Sequence, residues 1–325
     1  MASNILNLKM NRKEEKPNLN KGKNQAAKKN KSKLIFYICL MAIPMLQFVL
    51  FYVGVNFNSL LLAFKSYDYF TGGYSWIGFD NFKLAINSFI TETSLISSIK
   101  NSLILYVFSV ALGITLAVLF SYYIYKRRAF SGVFKVILFM PSILSSVVLV
   151  IMFKYFVESA VPIIWENIFN KKVDGLLQNN NTQFATILFY TIWAGFGAQI
   201  LLFSGAMNEI SPSSIEAASI DGITPLKELW YIVIPLIWPT LVTFLVVGVA
   251  GIFTNQMNLF SFYGTEANYN LYTFGYYIYR SMKATSTTIA DYPYLSAIGI
   301  MLTFVSLPLT FIVRTLSEKF GPKTE

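Results

Sequence analysis

The chain has 325 residues, 55% of them hydrophobic and 13% charged, with 26 Lys and Arg against 16 Asp and Glu and a formal net charge of +10. Average soluble domains are ~25% charged, so this composition excludes a soluble globular protein and reads as an all-α, polytopic membrane protein. One cysteine, Cys39, and no histidine exclude an intrachain disulfide, a Cys or His metal cluster and His-based acid–base catalysis.

A helix needs ~20 apolar residues to cross the hydrocarbon core. Charge-poor runs of that order occupy residues 34–64, 101–125, 136–153, 175–208, 229–265 and 292–313, which predicts about six transmembrane helices. Ahead of them, residues 1–33 hold ten of the 26 Lys and Arg and few large apolar residues. That stretch is expected to be a disordered basic cytoplasmic tail that sets topology and touches anionic membrane lipid; a nucleic-acid partner is not expected. It is not a cleavable signal peptide, because the apolar run behind it is too long and shows no cleavage site. Residues 34–100 hold the first span, 34–55 with Pro44 near its start, and an external segment.

Span two is expected at 102–124. The corner Lys126-Arg127-Arg128, with Lys135 close by, is dense in positive charge and marks the cytoplasmic side. With the tail, the inside segments of this topology hold 18 Lys and Arg and the outside ones 8; without it the split is 8 to 8. Orientation therefore rests on the tail and on this corner. Span three, 136–157, carries Pro141 one turn inside its start, which predicts a kink. An external segment, 158–182, follows. Span four, 183–206, holds Gly195, Gly197, Ala198 and Gly205, small residues that let helices pack closely. Its Gln199 should face protein or water, not lipid.

The next stretch reads Ser211-Pro212-Ser213-Ser214-Ile215-Glu216-Ala217-Ala218-Ser219-Ile220-Asp221-Gly222. Ser211-Pro212 is a helix start, an N-cap followed by proline at the first helical position. Gly222 suits the left-handed residue that ends a helix. Thr224-Pro225 starts a second short helix with the stripe Leu226, Leu229, Trp230 and Val233, and Pro235 is expected to stop it. Span five, 237–260, ends in Asn255, Gln256 and Asn258, amides that are costly against lipid and should line a cavity or bond between helices. The external segment 261–294 is dense in aromatics, read as an interfacial belt. Span six is 294–313, and a cytoplasmic tail, 314–325, closes the chain with both termini inside.

The spacing of Glu216-Ala217-Ala218, Gly222 and Ile232-Val233-Ile234-Pro235 resembles the EAA loop of binding-protein-dependent ABC importer permeases, with Ile234 where Leu is usual. Upstream, Gly78-Phe79-Asp80-Asn81-Phe82 resembles the Gly-Leu-Asp-Asn-Phe element of the maltose and glycerol-phosphate, carbohydrate-uptake branch. The resemblance covers a core at 101–313, with the loop at 211–239, and implies a type I importer permease fold with a cytoplasmic coupling helix. It assigns Glu216, Ala217, Ala218, Asp221 and Gly222 to ATPase docking. It further implies a second permease of similar fold, two copies of an ABC ATPase, an extracellular solute-binding protein and a place in the bacterial inner membrane. Gln199, Asn255, Gln256 and Asn258 are the candidates for a translocation path.

No Gly-x-x-x-x-Gly-Lys-Ser/Thr sequence occurs, so the chain has no phosphate-cradling loop of this type. No cofactor is expected on this chain, which is not read as an enzyme; ATP and Mg would be used by the partner ATPase. The predicted span cores hold no acidic residue, which argues against a proton-driven secondary carrier. A membrane enzyme would need loop carboxylates such as Asp68, Asp80 and Asp291. The expected solute is a sugar or oligosaccharide, with another solute such as glycerol phosphate as the alternative.

Overall fold

The computed structural model describes residues 19–283 and 288–322. It is helical apart from one small hairpin, and it divides into two compact units, residues 1–61 and 62–325. In the first, a helix begins at Leu19. Its apolar continuation, α1 (Lys33–Leu62), is long enough to cross a membrane. Residues 1–18 lie outside the described residues. Residues 19–33, expected to be irregular, are helical instead. Lys, Ala, Gln and Leu are good helix formers, and a helix already nucleated in the apolar run extends at little cost.

The second unit opens with an antiparallel hairpin, β1 (Lys65–Asp68) and β2 (Gly73–Trp76), in the register Lys65↔Trp76 to Asp68↔Gly73. The Asp68 carboxylate caps the turn, accepting from Phe70 N at 2.8 Å and Thr71 Oγ1 at 2.9 Å. Those hydrogen bonds hold its pKa below the usual carboxylate value. Helix α2 (Asp80–Thr91) follows. Its buried Asn81 donates to the Ala63 and Lys65 carbonyls at 2.9 and 2.7 Å, so the Asp-Asn-Phe element ties the hairpin down.

Five further helical elements are long and apolar: α3 (Thr93–Tyr125), α4 (Ser131–Ile143), α5 (Ser146–Phe169), α6 (Asn180–Asn208) and, last in the chain, α12 (Tyr292–Phe320). Between α6 and α12 lie α7 (Pro212–Ile220), α8 (Pro225–Leu236), α9 (Trp238–Ala250), α10 (Leu259–Tyr263) and α11 (Phe274–Lys283). Helices α8 and α9 form one bent pair at 71°, so five or six spans are available among the described residues.

Three expected boundaries move. Span three is two helices: the chain opens at Leu144, which is extended, and Ser145, which is non-helical, just past Pro141. Proline removes a backbone donor and weakens the turn it sits in. The crossing-length helix is α5, which runs well past 157 and carries Glu158 and Glu166, so this span is not free of acidic residues. Segment 171–177 folds back on it, with Leu176 N donating to Val157 O. Span five stops at Ala250. Beyond it Asn255 Oδ1 accepts from Met257 N at 2.8 Å, and Met257 and Asn258 take positive φ. Short amide side chains that bond locally compete with the helical ladder. Finally, Pro235 does not stop the second loop helix; α8 ends one residue later and α9 restarts with Pro239 in its first turn.

The buried side chains form two clusters. One gathers Leu95 and Leu105 of α3, Tyr190 of α6, Met257, Leu259 and Ile298. The other gathers Ile114 and Tyr122 of α3, Phe203 and Met207 of α6, Leu229, Val233 and Leu241. The aromatic segment belongs to the first cluster and is not mainly a belt: Tyr272, Phe274, Tyr276 and Tyr277 are buried. Asn101 donates to the Asn270 and Tyr272 carbonyls at 2.7 and 2.9 Å, and Ser102 Oγ accepts from Phe274 N at 2.9 Å. The Tyr277 hydroxyl donates to Glu92 at 3.1 Å; burial, then the Glu92 charge, raises its pKa strongly, so it stays a donor.

Helix α6 approaches α4 closely at Gly197, where a Cβ would collide with the Leu138 carbonyl oxygen; nothing lies within 4 Å of one at Gly205. Overpacking costs ~1–3 kcal/mol, and here the obstacle is backbone. Gly197→Val should therefore lower the melting temperature of the purified protein by several degrees, and Gly205→Ala, which adds helix propensity at an open position, should not lower it. Equal melting curves for Gly197→Val and wild type would refute the contact.

Candidate functional site

The loop between α6 and α9 is built locally. Ser211 takes the non-helical N-cap conformation and Pro212 opens α7. The Ser211 hydroxyl pairs with Ser213 Oγ at 2.7 Å instead of capping the backbone. At the other end Gly222 has φ +70°. Gly222 N donates to Ser219 O and Ile223 N to Ala218 O, both at 3.2 Å. This pair of bonds is a Schellman motif, which satisfies the last carbonyls of the helix and turns the chain sharply.

The two faces of α7 differ. Ala218 is buried and Ile215 packs against the second hydrophobic cluster. Glu216, Ala217, Asp221 and Gly222 are exposed, and Ile220 and Leu226 beside them are 86% and 67% exposed. Of the five residues assigned to docking, four share this outer surface, while Ala218 lies beneath it. The α8 stripe also splits: Leu229 and Val233 are buried, and Leu226 and Trp230 face outward.

Two contacts fasten α8 to the end of α3. Lys126 Nζ meets both Glu228 oxygens, at 2.9 and 3.0 Å, with the Glu228 side chain 7% exposed. The Tyr122 hydroxyl donates to Pro225 O at 2.9 Å. Sequence reasoning read Lys126 only as a topology signal. Its partner is 102 residues away, and no local pattern links them.

Where one hydrophobic cluster gives way to the other, α3, α6, α9 and the turn after α9 line a half-open cavity of about 440 Å³. This lies within the ~300–1,000 Å³ of small-molecule sites. Gln199 and Asn255 both line it; Gln256 and Asn258 are not among its lining residues. Asn258 instead carries the positive φ that opens α10. The remaining polar lining was missed, though it was written in the spacing. Ser102, Tyr106, Ser109 and Gly113 recur at i, i+4, i+7 and i+11 on α3, and Thr191, Gly195 and Gln199 at i, i+4 and i+8 on α6. Each series makes one helix face.

The bent α8–α9 pair, the exposed glycine corner and the cavity-bearing bundle define a membrane transport component. The family described as binding-protein-dependent transport system inner membrane component matches residues 109–325, and the chain belongs to it. YesP of Bacillus subtilis (strain 168), named a probable ABC transporter permease protein, is 27% identical over 220 residues, 63% of this chain. The chain spans 62% of YesP, less than two thirds of its length. YteP of the same organism, named a polygalacturonan/rhamnogalacturonan transport system permease protein, is 24% identical over 308 residues, 88% of either chain. Among solved structures, a chain of a bacterial alginate ABC transporter, in complex with an alginate pentasaccharide-bound periplasmic protein, superposes with a TM-score of 0.73 at 23% identity. It covers 90% of this chain and 96% of that one. That likeness establishes the shared fold.

Proposed function

We propose that this chain is one permease subunit of an ATP-driven importer for a sugar or oligosaccharide. The observation that carries the reading is the exposed Schellman corner, where two carboxylates, Glu216 and Asp221, stand beside the apolar Ile220 and Leu226. A rigid corner with charged and apolar groups on one face suits a motor protein that must grip and move it. The Lys126–Glu228 contact gives such a motion a route from α8 to α3. The names of relatives such as YteP, and a largely apolar cavity that carries several hydroxyls and amides, support the solute class.

In this reading two ATPase copies, carrying ATP and Mg, dock on the cytoplasmic corner. A second permease of similar fold completes the path, and an extracellular binding protein delivers the solute. Both termini lie on the cytoplasmic side of a bacterial inner membrane. Closure of the ATPase pair drives the corner and switches the cavity between the two sides, and this chain makes and breaks no covalent bond.

Reconstitution tests the proposal. Vesicles holding the chain, its partner permease, the ATPase and the binding protein should accumulate labelled oligosaccharide only with ATP on the ATPase side. Equal uptake by vesicles lacking the ATPase would overturn it.

A further inference from the structure

Taking the cavity as the solute path, as proposed above, we infer that it is built for a neutral, hydroxyl-rich solute and rejects acidic saccharides and phosphate esters. Among the described residues that line it there is no Lys, Arg, Asp or Glu. The polar groups that line it are hydroxyls and amides, among them Ser109, Thr191, Thr254, Gln199 and Asn255. Hydroxyls and amides both donate and accept, so they can pair with the O–H groups of a sugar in either sense. A carboxylate or phosphate oxygen only accepts, and it brings a negative charge.

The charge itself is the larger obstacle. Moving an anion out of water is costly unless a cation or several donors meet it. Among the described residues no cation lines the cavity, so a facing permease would have to supply the countercharge. The structural neighbour comes from an importer of the acidic polysaccharide alginate, and YteP is named for polygalacturonan, also acidic; the preference inferred here sets this chain apart from both. Polar groups placed on an otherwise apolar wall fix the orientation of a ring without selecting for charge.

A charge-matched thiol probe tests this. In the full chain with Cys39→Ser, assembled with its partner permease, Ser109→Cys places one thiol in the cavity. Its rates with hydroxyethyl and sulfonatoethyl methanethiosulfonate are each divided by the same reagent's rate with free cysteine. The normalised sulfonate rate should be lower by about tenfold or more, equivalent to ~1.4 kcal/mol. Adding Gln199→Lys should bring it back toward the neutral rate.

Equal normalised rates would overturn the charge preference. A cysteine that neither reagent reaches would remove the cavity as a solute site. Failure of ATP-driven uptake in the reconstituted vesicles would instead remove the transport reading and leave the measured charge preference standing.

Discussion

Gly222→Pro should reduce uptake to background while the protein still accumulates in the membrane. Gly222 sits at φ +70°, and proline is confined to about −65°. The substitution also deletes the N–H that donates to Ser219 O. A misplaced proline costs ~3 kcal/mol or more, and the second bond of the motif, Ile223 N to Ala218 O, depends on the same left-handed residue. The cost falls on the exposed corner at the end of α7, and only Ile215 near its start packs against a hydrophobic cluster, so the bundle should stay folded. Gly222→Asn is the control, since Asn tolerates the left-handed conformation, and it should keep most of the uptake. Labelled-solute uptake and membrane immunoblots on the two variants decide the matter. Normal uptake by Gly222→Pro would count against the proposed docking of an ATPase on this corner.

The corner was legible in the sequence because everything that makes it lies within a dozen residues. Ser211-Pro212 starts the helix, Gly222 ends it, and Thr224-Pro225 starts the next. The number of spans was legible for a related reason. In lipid a chain must satisfy its own backbone, so apolar length alone forces a helix. The places where helices break were harder to see. Pro141 signals a disturbance, but whether the chain bends or opens at Leu144 depends on its neighbours. The aromatic segment was misjudged because tyrosine suits an interface and a core equally well. What buries Tyr272 and Phe274 is the pair Asn101 and Ser102, which bond to backbone some 170 residues away. The cavity was half legible: single amides stood out, whereas the serine and threonine stripes gained meaning only once three helices faced one another.

Glu228→Ala should destabilise the protein and weaken uptake together, and the paired variant Lys126→Met with Glu228→Met should separate the two effects. Removing one partner of a buried ion pair costs ~3–5 kcal/mol, because the other charge is left unpaired. Lys126 is 24% exposed at its side chain, which places the expected loss at the lower end of that range. Replacing both partners with apolar side chains of similar size leaves no orphaned charge and is often neutral for stability. The melting temperature of the double variant should therefore return close to wild type. Uptake should not return with it, because two charge-assisted hydrogen bonds fix a direction between α3 and α8 that a methionine contact does not. Reconstituted vesicles of the double variant should hydrolyse ATP at the wild-type rate and import less solute per ATP. Full recovery of uptake alongside stability would reduce the Lys126–Glu228 contact to a packing feature. An unchanged melting temperature for Glu228→Ala would show that it carries no structural weight at all.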